Sequence, residues 1–148
     1  ENGELTLTGP ENGVFHVGSV DMGSFSDQAL TLAALAPFAD GPTTITGVGH
    51  IRHQESDRIT AIVTELTKLG ARCEELADGV RIYPSKLAGG VVSTYEDHRV
   101  AMSFALIGLR VPGIVIDNPS CCRKTFENYF EVLEEAVRQC NGKGPDGE

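Results

Sequence analysis

Residues 27–47 read DQALTLAALAPFADGPTTITG, and residues 97–117 read DHRVAMSFALIGLRVPGIVID. Each begins at an Asp and continues through a run of mostly Ala and Leu or other apolar residues. A helix apolar on nearly every side is predicted, and such a helix is buried on most of them. Turn residues stop both runs, Asp40-Gly41-Pro42 in one and Pro112-Gly113 in the other. Both then resume as a short β-branched segment, around Ile45 and around Val115, as a strand does. Superimposed without a gap, the two stretches are offset by 70 residues: Asp27 falls on Asp97, Pro42 on Pro112 and Ile45 on Val115. Few identities survive, but the hydrophobic phase does. An internal period of this length signals one supersecondary unit used more than once.

The same offset carries Ile62 onto Val132 and Val63 onto Leu133. Around the first pair, Ile59, Ile62, Val63, Leu66 and Leu69 recur at helical steps behind polar Glu55-Ser56-Asp57, and Lys68 and Gly70 close the run. This is the pattern of an amphipathic helix with an acidic first turn. Around the second pair, Phe126, Tyr129, Phe130, Leu133, Ala136 and Val137 predict a helix from Phe126 to Val137. Between them, Ala71 to Leu76 and Val80 to Tyr83 flank Asp78-Gly79, the chemistry of a tight turn between antiparallel strands. The chain is thus of the α/β (α+β) class. Each unit has the order strand, buried helix, strand, amphipathic helix, with a hairpin on at least the first, over about residues 14–83 and 84–140. At the start, Leu5-Thr6-Leu7-Thr8 and Val14 to Val17 are expected to be hairpin strands around Gly9-Pro10 and Gly13. The Gly-, Pro- and charge-rich residues 141–148 are expected to form a disordered tail or linker.

With 148 residues, 41% of them hydrophobic, the chain can build a sizeable core. It has no apolar run near the roughly 20 residues of a membrane span, and its start lacks the layout of a signal peptide. A soluble, cytoplasmic protein is expected. Twelve Lys and Arg against 21 Asp and Glu give a net charge of -9, which leaves no broad basic surface for nucleic acid or an anionic membrane. An anionic ligand would have to be held by a few local cations. Cys73, Cys121, Cys122 and Cys140 form neither a C-x-x-C pair nor an even ladder and read as reduced thiols. No metal-ligand spacing, Gly-rich phosphate loop or Ser/His/Asp order is present, so neither a metal nor a cofactor is expected.

Polar residues that an apolar scaffold does not need gather at the four helix starts: Asp27; Arg52 to Arg58; Glu96-Asp97-His98-Arg99; and Arg123-Lys124-Thr125. Unpaired N–H groups and a partial positive charge make such positions favourable to anions. Asp27, Asp97 and Ser56 or Thr125 fit as N-caps, worth about 1 kcal/mol each. Capping does not explain Arg58, Arg99 and Lys124, because the helix dipole opposes a cation there by at least a few tenths of a kcal/mol. One explanation pairs them with neighbouring carboxylates at the surface, worth about 0–1 kcal/mol. The other has them converge on a small polyanion, with forked guanidinium groups on phosphate or carboxylate oxygens and Asp27 or Glu55 moving protons. Composition and spacing leave both open. His53 and His98 lie within these clusters and can tune charge near neutrality; His16 and His50 read as ordinary loop or strand residues.

The three ordered runs Arg52-His53-Gln54-Glu55-Ser56-Asp57-Arg58, Thr94 to Met102 and Cys121 to Phe126, with Ser26-Asp27 upstream, resemble the C-terminal third of the 5-enolpyruvylshikimate-3-phosphate synthase family. The resemblance runs from about Gly18 to Val137. It implies an enolpyruvyl-transferase-like domain of repeated β-α-β-α-β-β units, two of three being present. It also implies transfer of the enolpyruvyl group of phosphoenolpyruvate to the 5-hydroxyl of shikimate 3-phosphate, with release of phosphate, on the way to chorismate and the aromatic amino acids. Asp27 matches the family's proton acceptor and Glu55 a carboxylate of proton transfer, while Arg58, Arg99 and Lys124 match the cations that bind phosphoenolpyruvate. At Gln54 the family usually has a Lys near the shikimate phosphate, and at His50 often an Asn. Gln keeps hydrogen-bonding capacity without charge, so weaker acceptor binding is expected. The family's N-terminal Lys-Ser, Gly-rich and Ser-Ser-Gln segments have no counterpart here. The resemblance therefore implies a fragment, inactive without the missing N-terminal part of the same enzyme. A UDP-N-acetylglucosamine enolpyruvyl transferase and a non-catalytic anion-binding module are the alternatives, and the Asp-His-Arg and Lys-Thr-Phe motifs favour the shikimate enzyme over the former.

Overall fold

A computed structural model of the chain describes residue 3 and residues 5–142. β1 (Ser19–Asp21) leads through a 3-10 turn (Gly23–Gln28) into α1 (Ala29–Leu35), followed by β2 (Thr43–Thr46), α2 (Arg58–Lys68), β3 (Cys73–Leu76) and β4 (Gly79–Ile82). The order then restarts with β5 (Gly90–Val92), α3 (His98–Ala105), β6 (Ile114–Ile116) and α4 (Tyr129–Gly142). Shifting β1, α1, β2 and α2 by the 70 residues read from the sequence brings each start to within one residue of its counterpart.

β1 pairs parallel to β2 through the α1 crossover, and the β3–β4 hairpin adds antiparallel, giving the order β1-β2-β4-β3. β5 and β6 form a parallel pair joined through α3. Ala29, Leu30, Ala33 and Ala34 of α1 and Val100, Ala101 and Phe104 of α3 are fully buried. The small residues of α1 let the two helices lie close, and Thr31 Oγ1 is 3.4 Å from Ser103 Oγ across the contact. Ile59, Ile62 and Leu66 bring α2 into the same core. That core aligns the starts of α1, α2 and α3.

Several boundaries differ from the sequence reading. Residues 5–17 contain no strand, although the Gly13 N–H does turn back onto the Pro10 carbonyl at 3.0 Å. Leu5 and Leu7 are almost fully exposed, and a two-stranded hairpin with no layer beneath it is marginal in water. Residues 141 and 142 belong to α4 rather than to a tail, and residues 143–148 lie outside the described residues. In the β3–β4 hairpin, Leu76 pairs with Gly79, so the turn residues are Ala77 and Asp78, one position early. Gly79 is a close-approach glycine instead: a Cβ there would collide with the Ile45 carbonyl oxygen of β2. α4 starts at Tyr129 because Thr125 and Phe126 both donate back to the Cys122 carbonyl in a tighter turn. Among the described residues, no helix is long and apolar enough to cross a membrane.

Candidate functional site

The starts of α2 and α3, the 3-10 turn before α1 and the loop before α4 meet in one place. Arg58 is the first residue of α2, and its side chain is 4% exposed. It is held across 39 residues of sequence by Asp97, the N-cap of α3, whose side chain is 0% exposed: Nε donates to Oδ2 at 2.8 Å and Nη2 to Oδ1 at 3.2 Å. Asp97 also accepts from Ser56 Oγ at 2.9 Å and from the Arg99 N–H at 2.9 Å. Burial alone would raise the Asp97 carboxyl, but these hydrogen bonds and the attraction of Arg58 hold it below its ordinary range. The pair is therefore ionised, forked and desolvated. Arg58 Nη1 donates to the Gln54 side-chain carbonyl and lies 3.6 Å from Asp27 Oδ1.

Asp27 sits in the 3-10 turn ahead of α1, and its Oδ2 accepts from Arg99 Nη2 at 2.9 Å. Glu55 stands just before α2. Its Oε2 is 2.7 Å from His98 Nδ1 and 4.0 Å from Arg58 Nη2, and its Oε1 contacts Lys124 Nζ. Burial lowers His98; Asp97 opposes the shift, and Arg99 and Arg58 add to it. At neutral pH the imidazole is thus uncharged, with the Nδ1 hydrogen directed at Glu55. His50 Nε2 lies 2.8 Å from Ser26 Oγ, next to Asp27 in the chain. Beside Asp27, His98 and Arg99, a cleft of about 170 Å³ runs along α1 and α3 to Thr125 and Tyr129.

Of the seven site residues expected from the sequence, Asp27, Gln54, Glu55, Arg58, Arg99 and Lys124 form one contact network, and His50 joins its edge through Ser26. The cations are paired with carboxylates, but across elements rather than with neighbours on one helix. The capping roles divide differently from expectation. Asp97 caps α3, whereas α2 is capped by Asp57 through the Thr60 N–H at 3.0 Å. Asp27, Ser56 and Thr125 cap nothing: Asp27 faces two arginines, Ser56 donates to Asp97, and Thr125 precedes α4. Sequence reasoning missed Asp97 as the counter-ion of Arg58. The signal was present in the overlay, since Asp27 and Asp97 are equivalent repeat positions and both face that guanidinium.

Glu55, Asp97 and His98 also bring three potential ligand atoms within 4.8 Å of one another. Arg58 and Lys124 engage the two carboxylates, so this donor set is committed to cations.

The sequence model of EPSP synthase (3-phosphoshikimate 1-carboxyvinyltransferase) matches residues 2–133, nearly the whole chain. The chain belongs to the EPSP synthase family. Among its relatives, 3-phosphoshikimate 1-carboxyvinyltransferase 2 of Halalkalibacterium halodurans is 53% identical over 118 residues, which is 78% of this chain and 26% of that protein. The Nostoc punctiforme 3-phosphoshikimate 1-carboxyvinyltransferase is 50% identical over 120 residues, or 81% and 28% of the two chains. The chloroplastic enzyme of Brassica napus is 45% identical over 140 residues, 90% of this chain and 27% of that one. A solved EPSP synthase of Acinetobacter baumannii superimposes with a TM-score of 0.70 at 33% identity, covering 75% of this chain and 27% of that structure. The chain spans about a quarter of the length of these relatives. Its mixed α/β architecture is that of the EPSP synthase fold.

Proposed function

We propose that this chain supplies the phosphoenolpyruvate-binding and proton-transferring part of an active site that moves the enolpyruvyl group to the 5-hydroxyl of shikimate 3-phosphate. The observation that carries this reading is the meeting of Asp27, Glu55, Arg58, Arg99 and Lys124, drawn from four separate elements, in one contact network, with Asp27 and Arg99 lining a cleft beside it. Arg58 is locked by Asp97 and offers a fixed charge. Arg99 and Lys124, by contrast, are part-exposed and hold the two carboxylates. A bound phosphate or carboxylate competes for Arg99 and Lys124, and its arrival releases Asp27 and Glu55 from these ion pairs. Asp27 then accepts the proton of the attacking hydroxyl, while Glu55, having taken a proton from solvent once Lys124 is drawn to the ligand, passes that proton to the enol methylene and is left as a carboxylate held by the His98 Nδ1–H. In the collapse of the tetrahedral adduct a methyl proton returns to a carboxylate and the C–O bond to phosphate breaks. Fixed cations around the departing phosphate lower that barrier without reorganisation, by several kcal/mol in a closed site, on the order of 3 per group.

Gln54 bears on the acceptor side. Its carbonyl accepts from Arg58, which a Lys at this position could not do. The reading is weaker binding of shikimate 3-phosphate with Arg58 more firmly fixed. The remaining length of the enzyme is the partner needed for turnover. A cytoplasmic location is part of the same reading, in keeping with free cysteines.

The test is a graft in which residues 18–137 replace the matching segment of the Nostoc punctiforme relative. Phosphate release from phosphoenolpyruvate is expected with shikimate 3-phosphate, none with UDP-N-acetylglucosamine, and none from the isolated chain with either. Release only with the nucleotide sugar, or turnover by the chain alone, contradicts the reading.

A further inference from the structure

The carboxylate that clasps Arg58 stands at the end of a tight turn. The Asp97 N–H donates to the Thr94 carbonyl at 2.9 Å, and the two central residues, Tyr95 and Glu96, both have positive φ, 55° and 56°. Positive φ at both central positions selects Gly, Asn or Asp, because a larger L side chain crowds its own backbone there. Among the described residues, every other positive φ belongs to glycine. Strain of this kind persists only where the surroundings enforce it.

Glu65 reaches this turn from α2, two helical turns beyond Arg58 on the same face. Its side chain is fully buried. Oε1 accepts from the Tyr95 hydroxyl at 2.6 Å, and Oε2 accepts from the Ser93 N–H at 3.0 Å and from Lys68 Nζ at 2.6 Å. On the far side, Thr94 N–H donates to Asp117 Oδ1 at 3.0 Å and Asn118 Nδ2 donates to Glu96 Oε1 at 2.8 Å. A salt bridge to half-exposed Lys68 does not require a carboxylate to be buried; reaching Ser93 and Tyr95 does. We propose that Glu65 is a positioning residue of the site: by tethering Tyr95 it holds the left-handed Tyr95-Glu96 turn, which presents Asp97 to Arg58 and fixes the guanidinium. α2 thereby grips one turn at two points, Arg58 on Asp97 and Glu65 on Tyr95. The Tyr95 phenol, pushed up to about 12 by burial and by its bond to Glu65, remains a donor throughout the physiological range.

The consequence for anion binding rests on the function proposed above; the positioning itself does not. The experiment follows the Arg58 Nε–H by ¹H–¹⁵N NMR in the full chain, with phosphoenolpyruvate titrated in parallel. Tyr95→Phe keeps the ring and removes the tether. It is expected to speed exchange of the Arg58 Nε–H with water about tenfold or more, while the amides of the middle of α2 keep their shifts. Tyr95→Gly, which loses the tether but adopts positive φ without strain, keeps exchange slow. Glu65→Met, which keeps the length and removes the acceptor, gives the same acceleration and serves if Tyr95→Phe fails to fold. Exchange within about twofold of the parent in Tyr95→Phe and in the Glu65 variant overturns the proposal, as does equal acceleration in Tyr95→Gly. A parent chain that shows this Arg58 behaviour but no response to phosphoenolpyruvate overturns the proposed function and leaves the positioning role standing.

Discussion

The two repeats share a hydrophobic phase and differ in how much of it is covered. In the first, α2 lies over a four-stranded sheet and Ile62 is 1% exposed; in the second, β5 and β6 pair alone and the equivalent Val132 of α4 is 44% exposed. The strands differ in the same way, since Ile45 of β2, a strand paired on both sides, is buried and its counterpart Val115 of β6 is half exposed. In the first repeat the β3–β4 hairpin extends the sheet from β2 and packs against α2. Periodicity therefore dictates which residues can form a core, and the neighbouring elements decide whether they do. The candidate site straddles the two repeats: Arg58 belongs to the covered one and Asp97, Arg99 and Lys124 to the open one.

The largest expected effect breaks the link between the repeats. Arg58→Ala leaves Asp97 buried without a counter-ion and should lower stability by about 3–5 kcal/mol in urea unfolding. Arg58→Lys should fall between, because a point charge cannot copy the fork. A loss from Arg58→Ala below about 1 kcal/mol, the range of a surface pair, would mean the repeats are held by apolar packing alone.

The contrast in coverage gives the next effect. Ile62→Ala should cost about 2–4 kcal/mol and Val132→Ala less than about 1 kcal/mol. Equal losses would show that α4 is packed as tightly as α2.

Acidification acts on the same junction in two stages. Asp97 and His98 both have folded values below their ordinary ones, so the folded state binds fewer protons than the unfolded state and stability rises with pH across each window. Descending in pH, stability should first fall below about 6.5, where unfolded His98 takes up a proton, and again below about 3.9, where Asp97 does. His98→Gln should remove the first step and keep the second. A denaturation midpoint flat between about pH 7 and 5 would contradict the uncharged imidazole beside Glu55.

The smallest effect concerns the acceptor side. In the graft, Gln54→Lys should tighten shikimate 3-phosphate while costing about 1 kcal/mol of stability through the lost bond from Arg58. Unchanged acceptor affinity would show that this position does not face the shikimate phosphate.

The buried helices, α2, the repeat and the hairpin were legible because hydrophobic phase and turn residues are local signals. The cations of the candidate site stood out for the opposite reason: Arg58 and Arg99 stand in first turns where the helix dipole opposes them, while Lys124, expected to do the same, lies five residues before α4. Asp57 rather than Ser56 caps α2, and Asp27 caps nothing, because capping depends on where the helix actually begins, and the 3-10 turn before α1 moved that point past Asp27. The Arg58–Asp97 pair spans 39 residues, so no window could contain it. The Tyr95-Glu96 turn has no glycine or asparagine to announce it; its conformation comes from Glu65, 30 residues away in sequence. Runs such as Leu5 to Thr8 carry strand propensity with no layer to rest on, and propensity alone does not make a strand.

The central claim is that Asp27, Glu55, Arg58, Arg99 and Lys124 form one anion-binding, proton-moving site. Titrating phosphoenolpyruvate into the chain, with ¹H–¹⁵N spectra of the parent and of Arg99→Ala, tests it most directly. The account predicts saturable shifts in the parent centred on Asp27, Glu55, Arg99 and Lys124, and their loss in Arg99→Ala. Spectra unchanged in both proteins, or shifts that survive the substitution intact, would contradict it.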